Sequence, residues 1–311
     1  MKNICGVIAF FRVFCYNLSI IVKRRRDMKK LKRSPAASFA AVAAVYVLAG
    51  AVGFLVYGAF DADWRVKLLA ADAAATVVTF AFSVIFKNAS VYDPYWSVQP
   101  IVICLAYAFP RRLTFFSWLL LAAVCVWGVR LTANWALNFG SLEREDWRYV
   151  MLREKTGRFY PAINFVGIHA VPTLVVYGCV LPAAFAIREG AEANAFSVAA
   201  VCVCFGAAAM QGIADLQMRR YRAARETPFC RDGLWKYSRH PNYLGEILMW
   251  WGIGLSVFAA YPSAWWLLIG AAANTALFLT VSIPMADGRQ AKKAGFDEYK
   301  EQTRMLLPMK K

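Results

Sequence analysis

Apolar residues run along this chain in long stretches separated by short charged loops. The stretches fall at Ala36–Phe60, Val66–Phe86, roughly Tyr92–Phe109, Leu113–Trp135, Ile163–Ile187, Ala195–Ala214, Tyr243–Ala260 and Ala264–Ile283. Most approach the roughly 20 residues that carry a helix across a bilayer. They lack the alternation of a β-barrel, which leaves helices as the way to satisfy the backbone in lipid. The run near Ile101 is the exception: its strictly apolar part is short, and Pro94 and Pro100 interrupt it. A re-entrant segment is the alternative there. The pattern predicts an all-α fold, a polytopic membrane helix bundle of about seven to nine transmembrane helices.

The loops set the orientation. Asn138–Ala162, Asp215–His240 and the tail from Met285 are rich in Lys and Arg, whereas Arg188–Asn194 is net acidic. The basic segments are therefore expected in the cytoplasm and the acidic one outside. Counting backwards, the basic run Lys23–Arg33 reaches the cytoplasm only if the run near Ile101 spans. That gives about eight crossings from Ala36 onward. Arg111 and Arg112 are the single exception. Small residues such as Gly50, Gly53, Gly58 and Ala207–Ala209 suit close helix packing in lipid.

Before this core lies Ile4–Val22, an apolar stretch broken by Arg12 and followed by Lys23–Arg33. A secretory signal has its charges first and a small-residue cleavage site afterwards, so the order here is reversed. The stretch is either an additional anchor or precedes a natural start at Met28, the preferred reading. The expected organisation is an N-terminal apolar and basic segment, 1–35, and a single transmembrane domain, 36–311.

Composition narrows the class. With 60% hydrophobic residues and a mean hydropathy of +0.44, the chain is too apolar for a soluble domain. A net charge of +17 on its own would suggest nucleic acid. Here the cations lie between apolar runs, so membrane lipids are the expected partners and nucleic acid is not. The eight Cys lie mostly inside apolar segments without a CxxC pair, and there are only two His, so no metal site is expected.

Four polar groups fall at the expected cytoplasmic edge. In Gln211–Arg222, residues Gln211, Asp215, Arg219 and Arg222 are spaced by 4, 4 and 3, which puts them on one helix face. An acceptor beside two guanidinium forks suits a ribose hydroxyl and phosphates. The alternative is a self-paired helix end with Asp215 matched to Arg219. In Gly233–Gly252, a helix starting after His240-Pro241-Asn242 offers N–H groups and a positive dipole end to an anion. Glu246, one turn further in, is placed to accept from a ligand amide or amine; alternatively it complements the dipole. In Val91–Trp96, Asp93 with Tyr92 and Tyr95 supplies a carboxylate and phenols that can hold and protonate a carbonyl oxygen. Its alternative is an interfacial aromatic belt. In Leu142–Arg158, mixed charges favour an amphipathic surface helix, with Glu145, Asp146, Arg148 and Tyr149 as candidates if it closes over a pocket. His169, near Pro172, reads as a satisfied polar residue within a span.

These residues resemble the membrane-embedded steroid 5-alpha-reductase family, within it an uncharacterised bacterial branch. The resemblance rests on Asn134–Gly157 (NW…EDWRY…REKTG), Asp215-Leu216-Gln217, GLWKYSRHPNYLGE with the following WWG, and FDEYKEQTRMLLP, Phe296 to Pro308. The C-terminal third is also similar to sterol reductases of the lamin-B-receptor type and to isoprenylcysteine carboxyl methyltransferases. The resemblance implies a bundle of seven or more helices holding NADPH in its cytoplasmic half, in a bacterial inner membrane with the C-terminus cytoplasmic. It also implies hydride transfer to a carbon–carbon double bond, typically an enone, of an apolar, steroid-like or other lipid substrate. By position, Asp215, Arg219, Arg222, Tyr237, Asn242, Glu246 and Tyr299 would line the cofactor site, with Arg239 and His240 beside them. Gln211 stands where the steroid reductases have Asn. Their catalytic pair, a Glu and a Tyr in the N-terminal half, is not carried over by position, and Asp93 with Tyr92 or Tyr95 is its physical substitute. The choice between NADPH and NADH, the substrate and the oligomeric state stay open at this stage. The rival enzyme is an S-adenosylmethionine-dependent methyltransferase, which lacks the Asp-Arg-Arg face and carries paired Glu near Asp287 and Arg289. A lipid-binding membrane protein without chemistry is the non-enzyme alternative.

Overall fold

The computed structural model describes residues 25–224 and 227–308. The expected anchor Ile4–Val22 lies outside the described residues. Twelve α-helices of seven residues or more organise the described residues: α1 (Arg25–Arg33), α2 (Pro35–Gly58), α3 (Trp64–Phe86), α4 (Tyr95–Ala108), α5 (Phe115–Phe139), α6 (Trp147–Thr156), α7 (Val171–Glu189), α8 (Ala195–Ala224), α9 (Pro241–Ala260), α10 (Ile269–Leu277), α11 (Ile283–Gln290) and α12 (Phe296–Gln302). No strand occurs among the described residues, where Ser238 and Arg304 form an isolated bridge.

Among the described residues, seven helical runs are long and apolar enough to cross a membrane: α2, α3, α5, Trp147–Glu189, α8, α9 and Pro262–Gln290. The protein is thus a multi-pass membrane helix bundle. The stretch near Ile101, expected as the eighth crossing, falls below that length. It forms only the 14-residue α4, about 21 Å long against a hydrocarbon layer of about 30 Å. Pro100 sits inside this helix, and Pro94 immediately precedes it.

Local chemistry sets the helix ends. Ser34 caps α2 by accepting from the Ala37 N–H at 3.3 Å, with Pro35 in the first helical position. Asp63 caps α3 through the Arg65 N–H at 3.0 Å, and Asp146 caps α6 through the Arg148 N–H at 2.9 Å. Pro241 opens α9, as its sequence indicates.

The described chain divides into two units, one holding the residues up to Trp96 with Trp135–Leu174, the other Ser97–Asn134 with Val175 onward. In the first, α2 and α3 pack closely. The segments 31–38, 88–93 and 141–146 are tied together at one end. Asn88 Nδ2 donates to the Leu142 and Arg144 carbonyls at 2.8 and 3.0 Å, and Ser90 Oγ accepts from the Asp146 N–H at 2.8 Å. Arg33 pairs with Glu143 at 3.2 Å, so the end of the basic run shares a membrane side with the Asn138–Ala162 loop.

In the second unit α4 runs antiparallel along α5. Ser97 and Thr132 share a hydroxyl hydrogen bond at 2.7 Å, and a Cβ on Gly128 would meet Ile101 at 2.7 Å. Helices α8 and α9 pair antiparallel over most of their length. Gly245 permits their approach: a Cβ there would lie 2.4 Å from Gln211 Cγ and 2.9 Å from the Ala207 carbonyl oxygen.

Candidate functional site

Three crossing helices of the second unit bring polar side chains to one place. Helix α5 supplies Trp127 and Arg130, α8 supplies Gln211 and Asp215, and α9 supplies Glu246 and Trp250. The spacings of three and four residues align each pair on one helix face. Arg130 donates from Nη1 to Asp215 Oδ2 at 2.8 Å and from Nη2 to Gln211 Oε1 at 2.5 Å. Gln211 turns its amide nitrogen to Glu246 Oε2 at 2.7 Å and to the Asn242 carbonyl at 3.3 Å. Trp127 Nε1 donates to the same Glu246 oxygen at 2.9 Å, and Trp250 Nε1 to the other at 2.8 Å. A carboxylate accepting from three donors is held in one orientation.

The expected set Gln211, Asp215 and Glu246 is therefore assembled, with Asn242 contributing its carbonyl. Arg219 and Arg222 continue the α8 face one and two turns beyond Asp215. Arg222 is exposed, and Arg219 carries a buried Nε without a hydrogen-bond partner among the described residues. Arg130 and Trp127 escaped the sequence reading because they lie in the run Leu113–Trp135. The available signal was Arg130 itself, a lone cation deep in an apolar stretch.

The other expected cofactor residues have different surroundings. Arg239 donates to Asp287 Oδ2 at 3.1 Å and to the Thr303 carbonyl at 2.6 Å, while His240 Nε2 meets Asp287 Oδ1 at 2.9 Å. Tyr299 packs on Phe229 and Phe296 and donates its hydroxyl to the Trp235 carbonyl. These contacts knot the 227–240 loop to α11 and the tail. Tyr237 is 40% exposed.

The first unit holds two acid–phenol pairs. Asp93 accepts from Tyr149, with Arg148 at 3.7 Å. The phenol beside Asp93 thus comes from α6, not from the neighbouring Tyr92 or Tyr95. Burial pushes the Asp93 carboxyl up to about 7; Arg148 works against that rise, and Asp146 adds to it. Tyr95 instead donates to Asp72 Oδ1 at 2.6 Å, and both are buried. Tyr92, stacked on Tyr95, shares a 2.6 Å hydrogen bond with Thr173 and donates to the His169 carbonyl at 2.9 Å. His169 is fully buried, with Nδ1 2.8 Å from the Asn164 carbonyl oxygen. Asp72 escaped the sequence reading for the same reason as Arg130: it is a single acid in the run Val66–Phe86.

The sequence model of the family described as "Protein of unknown function (DUF1295)" matches residues 79–303. Asp72 precedes the matched residues; the network on α5, α8 and α9 lies within them. An uncharacterized protein of Schizosaccharomyces pombe is 27% identical over 218 residues, 60% of this chain and 62% of that protein. The chain therefore spans about three fifths of the length of this curated relative. No solved structure matches the chain.

Proposed function

This chain belongs to the DUF1295 family of proteins of unknown function, and on that premise we propose that it is a membrane-embedded, NADPH-dependent reductase. Its substrate would be a steroid-like or other lipid with a carbon–carbon double bond conjugated to a carbonyl. The observation that carries this reading is the set Arg130, Gln211, Asp215 and Glu246, shared by three membrane-crossing helices. Ionisable groups at such depth are expensive, and apolar residues of similar size would hold the helices together at least as well. Their presence therefore points to a ligand.

The donors and acceptors fit a phosphorylated dinucleotide. Asp215 suits hydroxyls, and Arg219 and Arg222 on the same face suit phosphate, with the buried Arg219 Nε lacking a hydrogen-bond partner among the described residues. Glu246 anchors Gln211, so the amide presents a fixed orientation. Bound NADPH supplies hydride, while the chain supplies orientation and electrostatics. Tyr95 is the phenol best suited to polarise a carbonyl: it is buried in an apolar setting and held by Asp72. Turned to a substrate oxygen, its O–H would stabilise the negative charge that develops there.

Thermal unfolding of the purified chain in detergent tests the cofactor class. NADPH is expected to raise the melting temperature and S-adenosylmethionine to leave it unchanged. The opposite pattern would replace hydride transfer with methyl transfer.

A further inference from the structure

Asn164–Ala170 is a turn of π-helix inside the crossing run Trp147–Glu189, with the Val171 N–H reaching back five residues to the Val166 carbonyl. Single π-turns within α-helices are frequent at functional sites. This one carries two polar side chains, Asn164 and His169, 4% and 0% exposed. Each keeps one buried atom without a hydrogen-bond partner among the described residues, Asn164 Oδ1 and His169 Nε2. The sequence reads His169 as satisfied, yet only one of its two nitrogens is.

Their neighbours fix what those two atoms are. His169 Nδ1 lies 2.8 Å from the Asn164 carbonyl oxygen, which can only accept, so Nδ1 carries the ring proton. Nε2 then holds a lone pair, since a second proton would put an unpaired charge inside a crossing. Asn164 Nδ2 donates to Ser83 Oγ at 3.1 Å, and Ser83 gives its own proton to the Phe80 carbonyl at 2.8 Å. Ser83 can therefore only accept from the amide, which leaves Oδ1 as the unpaired end. Both atoms are acceptors. They share one neighbourhood, because the imidazole folds back onto the residue that bears Oδ1. Around them the walls are aromatic: Phe80 meets the imidazole edge-on at 5.5 Å, and the Tyr92 ring lies 4.4 Å away. Among the described residues no group of three His, Cys, Asp or Glu is placed to hold a metal ion.

We infer that the π-turn binds a hydroxyl donor, with His169 Nε2 and Asn164 Oδ1 sharing its O–H. Two buried acceptors fixed by their neighbours call for a donor, and an uncharged O–H supplies one without bringing a charge into the bilayer. The O–H belongs to a water or to a lipid alcohol, which present the same chemistry to the turn. Apolar residues of similar size would fill the same space with no unmade hydrogen bond, so the pair is placed for a ligand rather than for packing. The inference is independent of the proposed reductase chemistry.

Nitrogen-15 solid-state NMR of the full chain in phosphatidylcholine nanodiscs tests it. The chain has two His, so histidine labelling yields two imidazoles, and H169F identifies the buried one by its loss. Where that variant does not fold, H240Q identifies it by elimination. His169 Nε2 is expected without a proton and shifted to the lower frequency of a nitrogen that accepts a hydrogen bond. That shift, with magnetisation transfer from water protons, identifies water as the donor. A shift that appears only after dioleoylglycerol is added identifies a lipid alcohol. Either result supports the site. A free lone pair on Nε2 in both preparations overturns the inference, as does a proton on Nε2 with Nδ1 bare. N164L should move the Nε2 signal, because the two acceptors share one donor. No movement in a folded N164L overturns that sharing, and the unaltered chain decides the rest if N164L does not fold.

Discussion

Arg130 and Asp215, 85 residues apart in the sequence, form an ion pair at 2.8 Å between α5 and α8. Both side chains are mostly buried, 19% and 14% exposed. Removing one partner strands the other charge, so Arg130→Met is expected to cost about 3 kcal/mol. Adding Asp215→Leu removes the stranded acid and should recover much of that loss. Reversible unfolding in a denaturing detergent measures the cycle, which should show a coupling of about 1 to 3 kcal/mol. Additive single effects would contradict the pairing.

Gly245 links helix packing to the site. A methyl group there would fall on Gln211 Cγ, part of the side chain that bridges Arg130 and Glu246. Gly245→Ala should therefore displace Gln211 and weaken NADPH binding by about tenfold, the effect of losing about 1.4 kcal/mol. Nucleotide titration checks this, and unchanged binding would show that Gln211 is not a contact.

Asp93 makes stability depend on pH. An unfolded Asp gives up its proton near 3.8, whereas burial holds the folded Asp93 proton to about 7. Between those values the folded state binds more protons. This group therefore lowers stability as pH rises through that window, by up to about 1.4 kcal/mol per pH unit, and no further above it. Asp93→Asn cannot titrate. The stability difference between parent and variant, followed by unfolding across pH, should fall through the window and level off above it. A flat difference would show that the carboxyl is not buried as described.

Tyr95 and Asp72 are joined at 2.6 Å. Tyr95→Phe removes the phenol O–H and leaves the ring in place. If that hydroxyl polarises a substrate carbonyl, lipid-dependent NADPH oxidation should fall by about 10²- to 10⁴-fold with NADPH affinity unchanged. Tyr149→Phe should alter turnover far less. Equal losses in the two variants would reassign the role.

Much of the fold was legible in the sequence. Apolar runs near bilayer length, punctuated by Ser34-Pro35 and His240-Pro241, mark helix starts without reference to tertiary structure. The α8 face was legible too, because Gln211 and Asp215 repeat at helical spacing. What stayed hidden was partnership across helices. Asp72, Trp127 and Arg130 lie inside apolar runs, and their partners lie 23, 119 and 85 residues away. The first acid–phenol pairing failed for a local reason. Neighbours one or two apart on a helical backbone point in different directions, so Asp93 faces Tyr149 while Tyr92 and Tyr95 turn to Thr173 and Asp72. In the run near Ile101, apolar composition extends past the 14 residues that become helix.

The proposed function requires that the α5–α8–α9 network form a nucleotide site. Equilibrium titration of the purified full chain with NADPH, alongside folded Asp215→Ala and Arg219→Ala variants, tests it most directly. Saturable binding by the parent, weakened at least about tenfold in each variant, is the predicted result. Parent-like affinity in both variants, or no saturable binding by the parent, would contradict it.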